Sequence, residues 1–250
     1  NSSYYSMSLG SKMEYKTGES APLGGALSRE TPCIGIVLLA AGQSRRMGNN
    51  KQLLPWRGKT ILDAVCHALQ IGWEQTNPSW NLKTYPMVAV TGGDHDIDHI
   101  ASSYGFSIIH NECSDLGQGT SIALGVKYLM NEFGTRALDG IICSVSDQPL
   151  LNPMVVEQLI TSFQQHRDET NRTIVVPKYG RTQHPGNPVL FGAHWFEDLQ
   201  HIEGDQGGRT IIRGVGHNFV EYVSIIPEWG FDIDTPEDYN DLQHRESEGV

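Results

Sequence analysis

The chain has 250 residues, with 29 acidic and 18 basic side chains and a formal net charge of −11. A protein this acidic is a poor candidate for wrapping nucleic acid or an anionic membrane surface, because both repel it. The longest apolar run covers residues 34–41, whereas a membrane-spanning helix needs roughly 20 residues. We therefore expect no nucleic-acid or membrane partner, and the length suits one large or two small domains.

Residues 1–31 include many Ser and Gly residues and show no periodic apolar pattern. We predict a flexible leader there, or in part a cloning remnant, followed by a single domain over residues 32–250. The four cysteines are sparse and form no CxxC pair, which favours a reducing compartment over a disulfide scaffold. The expected location of the protein is therefore the cytoplasm.

Apolar segments typical of buried strands alternate with amphipathic segments typical of helices along the rest of the chain. The predicted strands cover residues 33–39, 87–90, 106–109, 140–145, 173–176, 188–191 and 218–226. The predicted helices cover residues 60–71, 95–104, 120–133, 153–166, 194–201, 208–214 and 235–244. Residues 72–86 hold two Pro and two Trp and are predicted to form a loop. The alternation predicts a three-layer α/β fold, a mainly parallel sheet with helices on both faces, whose ligands bind at the carboxyl ends of the strands.

The first loop after a predicted strand reads L-A-A-G-Q-S-R-R-M-G-N-N-K over residues 39–51. Small residues at 40–42 leave the backbone bare enough for its N–H groups to cradle phosphate oxygens, and Arg46 and Lys51 add positive charge. The loop matches neither the ATPase pattern GxxxxGK[ST] nor the dinucleotide pattern GxGxxG. An ordinary basic surface loop explains the residues equally well, but the buried strand before them favours phosphate binding.

Acidic residues follow one predicted strand and precede the last predicted helix. Asp147 comes after the strand over residues 140–145, where a carboxylate points into the ligand crevice or else caps the next helix. Asp232 and Asp234 lie in F-D-I-D-T-P-E-D, just before the helix over residues 235–244. A helix start explains the Thr, the Pro and the acids after them. It does not explain the two carboxylates before it, which are therefore candidates for binding a ligand.

The loop over residues 39–51 resembles the consensus L-A-A-G-x-S-x-R-M-G-x-x-K of nucleotidyltransferases that handle the molybdenum cofactor, and the resemblance continues over residues 33–243. It is strongest to the branch that couples CTP to molybdopterin. The resemblance implies a Rossmann-like nucleotidyltransferase fold, in which Arg46 and Lys51 are catalytic and neutralise the triphosphate. The nucleotide-binding residues that it implies are Leu39, Ala40, Ala41, Gly42, Arg46, Lys51, Asn111, Gly117 and Ser121.

Both acidic segments resemble motifs of the same family. S-D-Q-P around Asp147 is similar to the family's G-D-Q-P, whose Asp binds Mg²⁺, with a Ser in place of the Gly. In the motif D-I-D-T-P-E-D, related nucleotidyltransferases use the Asp next to the Thr as the second magnesium ligand. The resemblance therefore implies Mg²⁺ as cofactor, held by Asp147 and Asp234, with Asp232 as the substitute candidate. Asp147 is also an expected catalytic residue. Mg²⁺ prefers few carboxylates together with substrate phosphates, which suits this pair.

One further segment resembles the family's loop beside the base and ribose. It consists of Asn111 and L-G-Q-G-T-S-I over residues 116–122, with Gly119 in place of a Ser. The structural interpretation is equally good, because Thr120 suits the N-cap of the following helix. The two interpretations can hold together, since a capped helix can also border a ligand.

Two later segments resemble the side on which the family receives molybdopterin. H-P-G-N-P-V-L-F is similar to the family's P-x-G-H-P-V-L-F, with Asn187 in place of the His, and G-D-Q-G-G-R is similar to G-D-x-G-A-R. The acceptor-side residues implied by these motifs are His184, Asn187, Asp205 and Arg209. The Asn in place of the His leaves the identity of the acceptor open.

The resemblance implies that a phosphate of molybdopterin attacks the α-phosphorus of CTP and that pyrophosphate leaves. Ala41 favours CTP, since the guanylyl branch of the family reads L-A-G-G at this point. Two alternatives stay open: an enzyme whose acceptor is a sugar or polyol phosphate, and a non-catalytic carrier that delivers the cofactor to a client molybdoenzyme. The pair of Asp147 and Asp234 argues against a carrier, because a pure binder needs no aligned magnesium.

Overall fold

The computed structural model describes residues 31–42, 50–78, 84–134, 136–180, 184–205, 207–214 and 218–247. Arg46, expected to neutralise the triphosphate, lies outside these ranges. The predicted leader lies outside them as well, apart from its last residue. The division into a leader over residues 1–31 and one domain over residues 32–250 therefore stays a prediction.

The described chain contains ten strands and seven α-helices. The strands are β1 (Ile34–Ala40), β2 (Pro55–Trp56), β3 (Lys59–Thr60), β4 (Met87–Thr91), β5 (Ser107–His110), β6 (Gly140–Val145), β7 (Ile174–Tyr179), β8 (His184–Pro185), β9 (Val189–Gly192) and β10 (Val220–Ile225). The helices are α1 (Ile61–Thr76), α2 (His95–Ser103), α3 (Gln118–Phe133), α4 (Pro153–His166), α5 (Phe196–Gln200), α6 (Arg209–Gly214) and α7 (Pro236–Ser247). Among these ranges, no helix has both the length and the apolar character needed to cross a membrane.

Strands β10, β7, β9, β6, β1, β4 and β5 lie side by side in this order in one sheet. β9 runs antiparallel to both of its neighbours, and the other neighbouring pairs in this order are parallel. The short strand β8 pairs with β7, while β2 and β3 form a separate hairpin. The prediction of a mainly parallel sheet is therefore confirmed. The hairpin is absent from the predicted elements, since strands of two residues carry no readable periodicity.

Side chains of β1 alternate between the two faces of the sheet. Ile36 and Leu38 are buried with the apolar faces of α1, α2 and α4, whereas Val37 is buried with α3 and α5. β1 lies in the middle of the sheet, and a strand covered on both faces must be apolar throughout. The predicted three-layer arrangement, with helices on both faces of the sheet, is thus confirmed.

The prediction of a loop is wrong for residues 72–76, because α1 runs through them. Gly72 lies where α1 crosses α4: a Cβ atom there would lie 2.5 Å from the carbonyl oxygen of Pro153 and 2.7 Å from Cβ of Val156. The next residue, Trp73, is fully buried. Packing against α4 and the sheet therefore holds a glycine inside a helix, where its intrinsic propensity is low.

Gly72→Ala is expected to lower the free energy of unfolding by about 1–3 kcal/mol, the usual cost of overpacking. The sign is informative, because alanine exceeds glycine in helix propensity by about 1 kcal/mol and would stabilise an unhindered helix. Urea unfolding followed by circular dichroism measures the change. Gly214→Ala in α6 is the matched control, since a Cβ there meets none of the described atoms within 4 Å. A Gly72→Ala protein more stable than the wild type would contradict the close crossing.

A small apolar cluster positions the end of the chain. Trp56 of β2, Ile61 of α1 and Ile233 are buried together with Leu242 of α7. The N–H group of Ile233 also donates to the carbonyl oxygen of Asp147 at 3.0 Å. The segment before α7 is thus fixed beside the chain that leaves β6, at the carboxyl edge of the sheet.

Candidate active site

The carboxyl ends of β1 and β6 lie side by side, since Leu39 pairs with Val145. The side chain of Gln52, which is 2% exposed, links the chain segments that follow these strands. Its Nε2 donates to Ser146 Oγ at 2.6 Å and to the carbonyl oxygen of Ala40 at 3.3 Å, and Ser146 Oγ donates to the carbonyl oxygen of Leu39 at 2.9 Å. The serine that stands where the resembling family has glycine therefore ties the two strand ends together.

The start of the predicted phosphate-binding loop is described, and its middle is not. Leu39 ends the apolar part of β1, Ala40 and Ala41 are buried, and Gly42 is exposed. A Cβ atom at Gly42 would meet no described atom within 4 Å. The structure resumes at Asn50, and Arg46 lies between these described parts.

A capping box fixes the acidic segment before α7. The N–H group of Asp238 donates to Thr235 Oγ1 at 3.2 Å, and Asp238 Oδ2 accepts from the N–H group of Thr235 at 2.7 Å. These bonds account for Thr235 and Asp238 as a helix start, as the sequence predicts. Asp232 and Asp234, which the helix start does not explain, belong to the neighbourhood of Lys51.

Lys51 joins the two acidic segments. Its Nζ donates to Asp147 Oδ2 at 2.6 Å, to the carbonyl oxygen of Ile233 at 2.7 Å and to Asp234 Oδ1 at 3.1 Å. The lysine side chain is 16% exposed, so its closest ion pair is largely shielded from water. Burial opposes the charge of the ammonium group, but the two aspartates outweigh burial and raise the pKa of Lys51. Two of the expected site residues, Asp147 and Asp234, thus meet at the ammonium group of a third, Lys51.

Asp147, Asp232 and Asp234, here called the acidic cluster, carry more charge than Lys51 alone can neutralise. Burial and the charge of Asp147 raise the pKa of Asp232 to about 6. Oδ1 of Asp147 is buried and has no hydrogen-bond partner in the part of the chain that the structure describes. An anionic site with an unpartnered carboxylate oxygen fits a hard divalent cation such as Mg²⁺. Within the described ranges no group of three His, Cys, Asp or Glu side chains is arranged to hold a metal ion without further ligands. The acidic cluster therefore suits an ion that is bound by carboxylates together with substrate phosphates.

A cavity of about 230 Å³ opens beside the acidic cluster, whose three aspartates line part of its wall. Three of the residues expected on the acceptor side, Asn187, Asp205 and Arg209, line the same cavity. His184 belongs to β8, and its side chain lies outside the described part of the structure. The apolar part of the wall comes from Leu39, Ile122, Cys143, Val145, Val176, Val189, Phe191 and Ile212. The cavity can therefore receive a molecule with both an apolar and a polar portion.

Asn111 is 3% exposed and fixes the start of α3. Its Nδ2 donates to Thr120 Oγ1 and to Ser121 Oγ, both at 2.9 Å, and its Oδ1 accepts from the N–H group of Cys113 at 2.9 Å. The prediction that Thr120 is the N-cap of the helix is wrong, because α3 begins at Gln118 and Thr120 lies in its first turn. Asn111 thus shapes the loop that is expected to border the base and ribose.

Two glycines bring this loop against the segment over residues 202–205. Gly117 has a φ of 111°, which L side chains rarely adopt. A Cβ atom at Gly119 would lie 2.6 Å from Cγ2 of Ile202. The N–H group of Gly119 donates to the carbonyl oxygen of Gly204 at 2.9 Å. Glycine in place of the family's serine therefore has a packing reason. The contact joins the expected nucleotide side of the site to the expected acceptor side.

Sequence reasoning missed three further polar side chains of the site, Asn50, Gln52 and Gln148. One side-chain oxygen of each is buried and has no hydrogen-bond partner within the described ranges, like Oδ1 of Asp147. Buried acceptors without donors are rare in folded proteins, so this group suits a site that receives donors or a cation with its ligand. Position was the available signal, because Asn50 and Gln52 flank Lys51 and Gln148 directly follows Asp147.

Comparison with known proteins identifies a family and several relatives of this chain. The profile of the MobA-like NTP transferase domain matches residues 36–221. Purine catabolism protein PucB of Bacillus subtilis is 26% identical over 220 residues, covering 84% of this chain and 96% of the relative. Nicotine blue oxidoreductase of Paenarthrobacter nicotinovorans is 26% identical over 188 residues, covering 74% and 83%. Molybdenum cofactor cytidylyltransferase of Escherichia coli is 26% identical over 220 residues, covering 86% and 98%.

The fold is shared with solved structures. Rv0371c of Mycobacterium tuberculosis, solved in complex with manganese, has a TM-score of 0.62 at 23% identity and covers 87% of this chain and 100% of its own. A nucleotidyl transfer enzyme from Methanothermobacter has a TM-score of 0.67 at 20% identity and covers 87% and 99%. At these identities the structures establish the Rossmann-like fold alone. Because the profile spans well over half of the chain, the protein belongs to the MobA-like NTP transferase family, a family of nucleotidyltransferases.

Proposed function

We propose that this nucleotidyltransferase transfers CMP from CTP to the terminal phosphate of molybdopterin or the molybdenum cofactor and releases pyrophosphate. The observation that carries the proposal is the position of Lys51 between Asp147 and Asp234, two aspartates that also line the cavity. A triphosphate on the loop and an acceptor phosphate in the cavity would meet at this point. The name of the Escherichia coli relative supports this choice of nucleotide and acceptor.

The chain's own residues would mainly position and neutralise phosphate groups. Backbone N–H groups over residues 39–42 bind phosphate oxygens, and Lys51 and Arg46 offset the charge that develops on pyrophosphate as it leaves. The proposed role of Arg46 rests on the family resemblance. Asp147 and Asp234 would hold Mg²⁺, which when bound neutralises the phosphate groups at which the reaction occurs.

The proposed reaction needs no general base. The acceptor phosphate is ionised at neutral pH, and its oxygen forms a bond to the α-phosphorus while the bond to pyrophosphate breaks. No proton has to be removed from the attacking group. Catalysis then rests on alignment of the two phosphates and on neutralisation of their charge, which a shielded, firmly charged Lys51 supplies.

CTP is the proposed nucleotide because of Ala41. In the resembling family L-A-A-G at this point goes with cytidylyl transfer. Ala41 is 6% exposed, and we expect its methyl group to fill volume that a glycine would leave to a larger purine base. The size of the base-binding space is thus the physical basis on which we expect CTP to be preferred to GTP.

The wall of the cavity supports the proposed acceptor. Its apolar residues suit a flat heterocycle, and Asn187, Asp205 and Arg209 offer an amide, a hydrogen-bond acceptor and a donor for polar groups. The proposed further partner is a client molybdoenzyme that receives the product. The proposed location is the cytoplasm, which suits four free cysteines of which Cys113 is exposed.

Pyrophosphate release tests the proposal. Purified protein with Mg²⁺ is given CTP, GTP or ATP in turn, with and without molybdopterin-type cofactor. We expect release only when CTP and cofactor are both present. Release with CTP and a sugar or polyol phosphate would replace the proposed acceptor, an alternative that Asn187 in place of the family's histidine keeps open. Tight CTP and cofactor binding without release from any mixture would instead favour a carrier.

A further inference from the structure

The ammonium group of Lys51 stands among oxygens that a hard cation would also take as ligands. Its partners are a carboxylate oxygen of Asp147, a carboxylate oxygen of Asp234 and the main-chain oxygen of Ile233, at 2.6, 3.1 and 2.7 Å. Carboxylate and carbonyl oxygens are the usual ligands of Mg²⁺ and Mn²⁺. Two positive charges that need the same oxygens repel each other strongly at such distances. The lysine and a divalent ion therefore compete for Asp147 and Asp234.

We propose that Lys51 is an internal counter-ion that keeps the metal site closed until a nucleotide binds. Without nucleotide, its ammonium group pairs with Asp147 and Asp234. When a triphosphate binds beside Lys51, the ammonium group turns to the phosphate oxygens and releases both carboxylates. The trigger rests on the proposed function, whereas the competition between Lys51 and the metal does not.

The local structure permits this exchange. Lys51 begins a short 3-10 helix, and its side chain is a flexible four-carbon stem. The ammonium group can therefore reach either the two aspartates or a phosphate group bound beside them. Among the described residues Oδ1 of Asp147 has no hydrogen-bond partner, so the acidic cluster still offers one carboxylate oxygen to a divalent cation. Nucleotide and metal should consequently raise each other's affinity, because each removes the same competitor.

Mn²⁺ alone is the probe for the competition. Its free concentration is followed by electron paramagnetic resonance while wild-type protein, Lys51→Met and Lys51→Arg are titrated without nucleotide. We expect Lys51→Met to bind Mn²⁺ about tenfold more tightly or better than the wild type, since its carboxylates lose their counter-ion. Lys51→Arg, which keeps the charge, should bind as weakly as the wild type. Asp147→Asn in the Lys51→Met background should abolish the gain.

The control for a general field effect is Arg209→Met, which removes a positive charge from the wall of the same cavity. An equal gain in this variant, or equal Mn²⁺ affinity of wild type and Lys51→Met, would overturn the proposal. Lys51→Gln replaces Lys51→Met if the latter fails to fold. In a second titration CTP should raise the Mn²⁺ affinity of the wild type more than that of Lys51→Met. If CTP does not bind, the proposed function fails while the first titration still decides the competition.

Discussion

Asp147→Asn is expected to lower the rate of pyrophosphate release by at least about a hundredfold while the protein stays folded, the usual scale for a lost charged contact to a reacting group. Asparagine keeps the shape of the side chain but offers no anionic oxygen to the metal. It also weakens the hold on Lys51, whose shortest bond, 2.6 Å, is to Asp147 Oδ2. The rate is measured with saturating CTP, cofactor and Mg²⁺, and folding by the thermal melting temperature.

The matched control is Asp241→Asn, which removes the same charge from an exposed position on α7. Its rate and melting temperature should equal those of the wild type. Lys51→Ala should lose activity on the same scale as Asp147→Asn, because both act on the same phosphates. A folded Asp147→Asn protein with near-normal turnover would remove Asp147 from the reaction and leave it a structural group.

Part of the site could be predicted because its chemistry follows directly from the sequence. Lys51 follows β1 and Asp147 follows β6, and the carboxyl ends of these parallel strands meet at one edge of the sheet. Asp234 lies before α7 and was predicted from its resemblance to a family motif. What the motifs did not contain is the geometry between them. That Lys51 donates to both aspartates depends on Ile233, whose burial with Trp56 fixes the last segment of the chain. Such a contact joins residues more than 180 positions apart.

The fold was predictable for a different reason. Strands that are covered on both faces, such as residues 34–40, are apolar throughout. Their composition alone is therefore enough to predict that they are buried. Where tertiary packing decides, composition misleads. Gly72 favours a turn by its propensity, yet it lies inside α1 because only glycine lets α1 approach Pro153 so closely. Similarly, Gly119 departs from the family pattern because the segment around Ile202 packs against it.

The second large effect is expected at Trp73, in the part of α1 that composition assigns to a loop. Trp73→Ala should lower the free energy of unfolding by about 3–5 kcal/mol, the usual cost of removing a large buried aromatic side chain. The indole is fully buried, packs edge-on against Tyr85 with ring centres 5.5 Å apart, and donates through Nε1 to the carbonyl oxygen of Ile34 at 2.6 Å. Urea unfolding followed by circular dichroism measures the loss.

Two variants separate the contributions. Trp73→Phe keeps an aromatic ring but loses the hydrogen bond to Ile34 and some volume, so its loss should be smaller than that of Trp73→Ala. Leu116→Ala, in the segment before α3, should change stability by no more than about 0.5 kcal/mol, because the leucine is 63% exposed. Ile34 is the first residue of β1, at the opposite end of the strand from the site, so turnover per folded Trp73→Ala molecule should equal that of the wild type. A Trp73→Ala protein as stable as the wild type would place α1 outside the core, and one that is stable but inactive would couple this end of the sheet to the reaction.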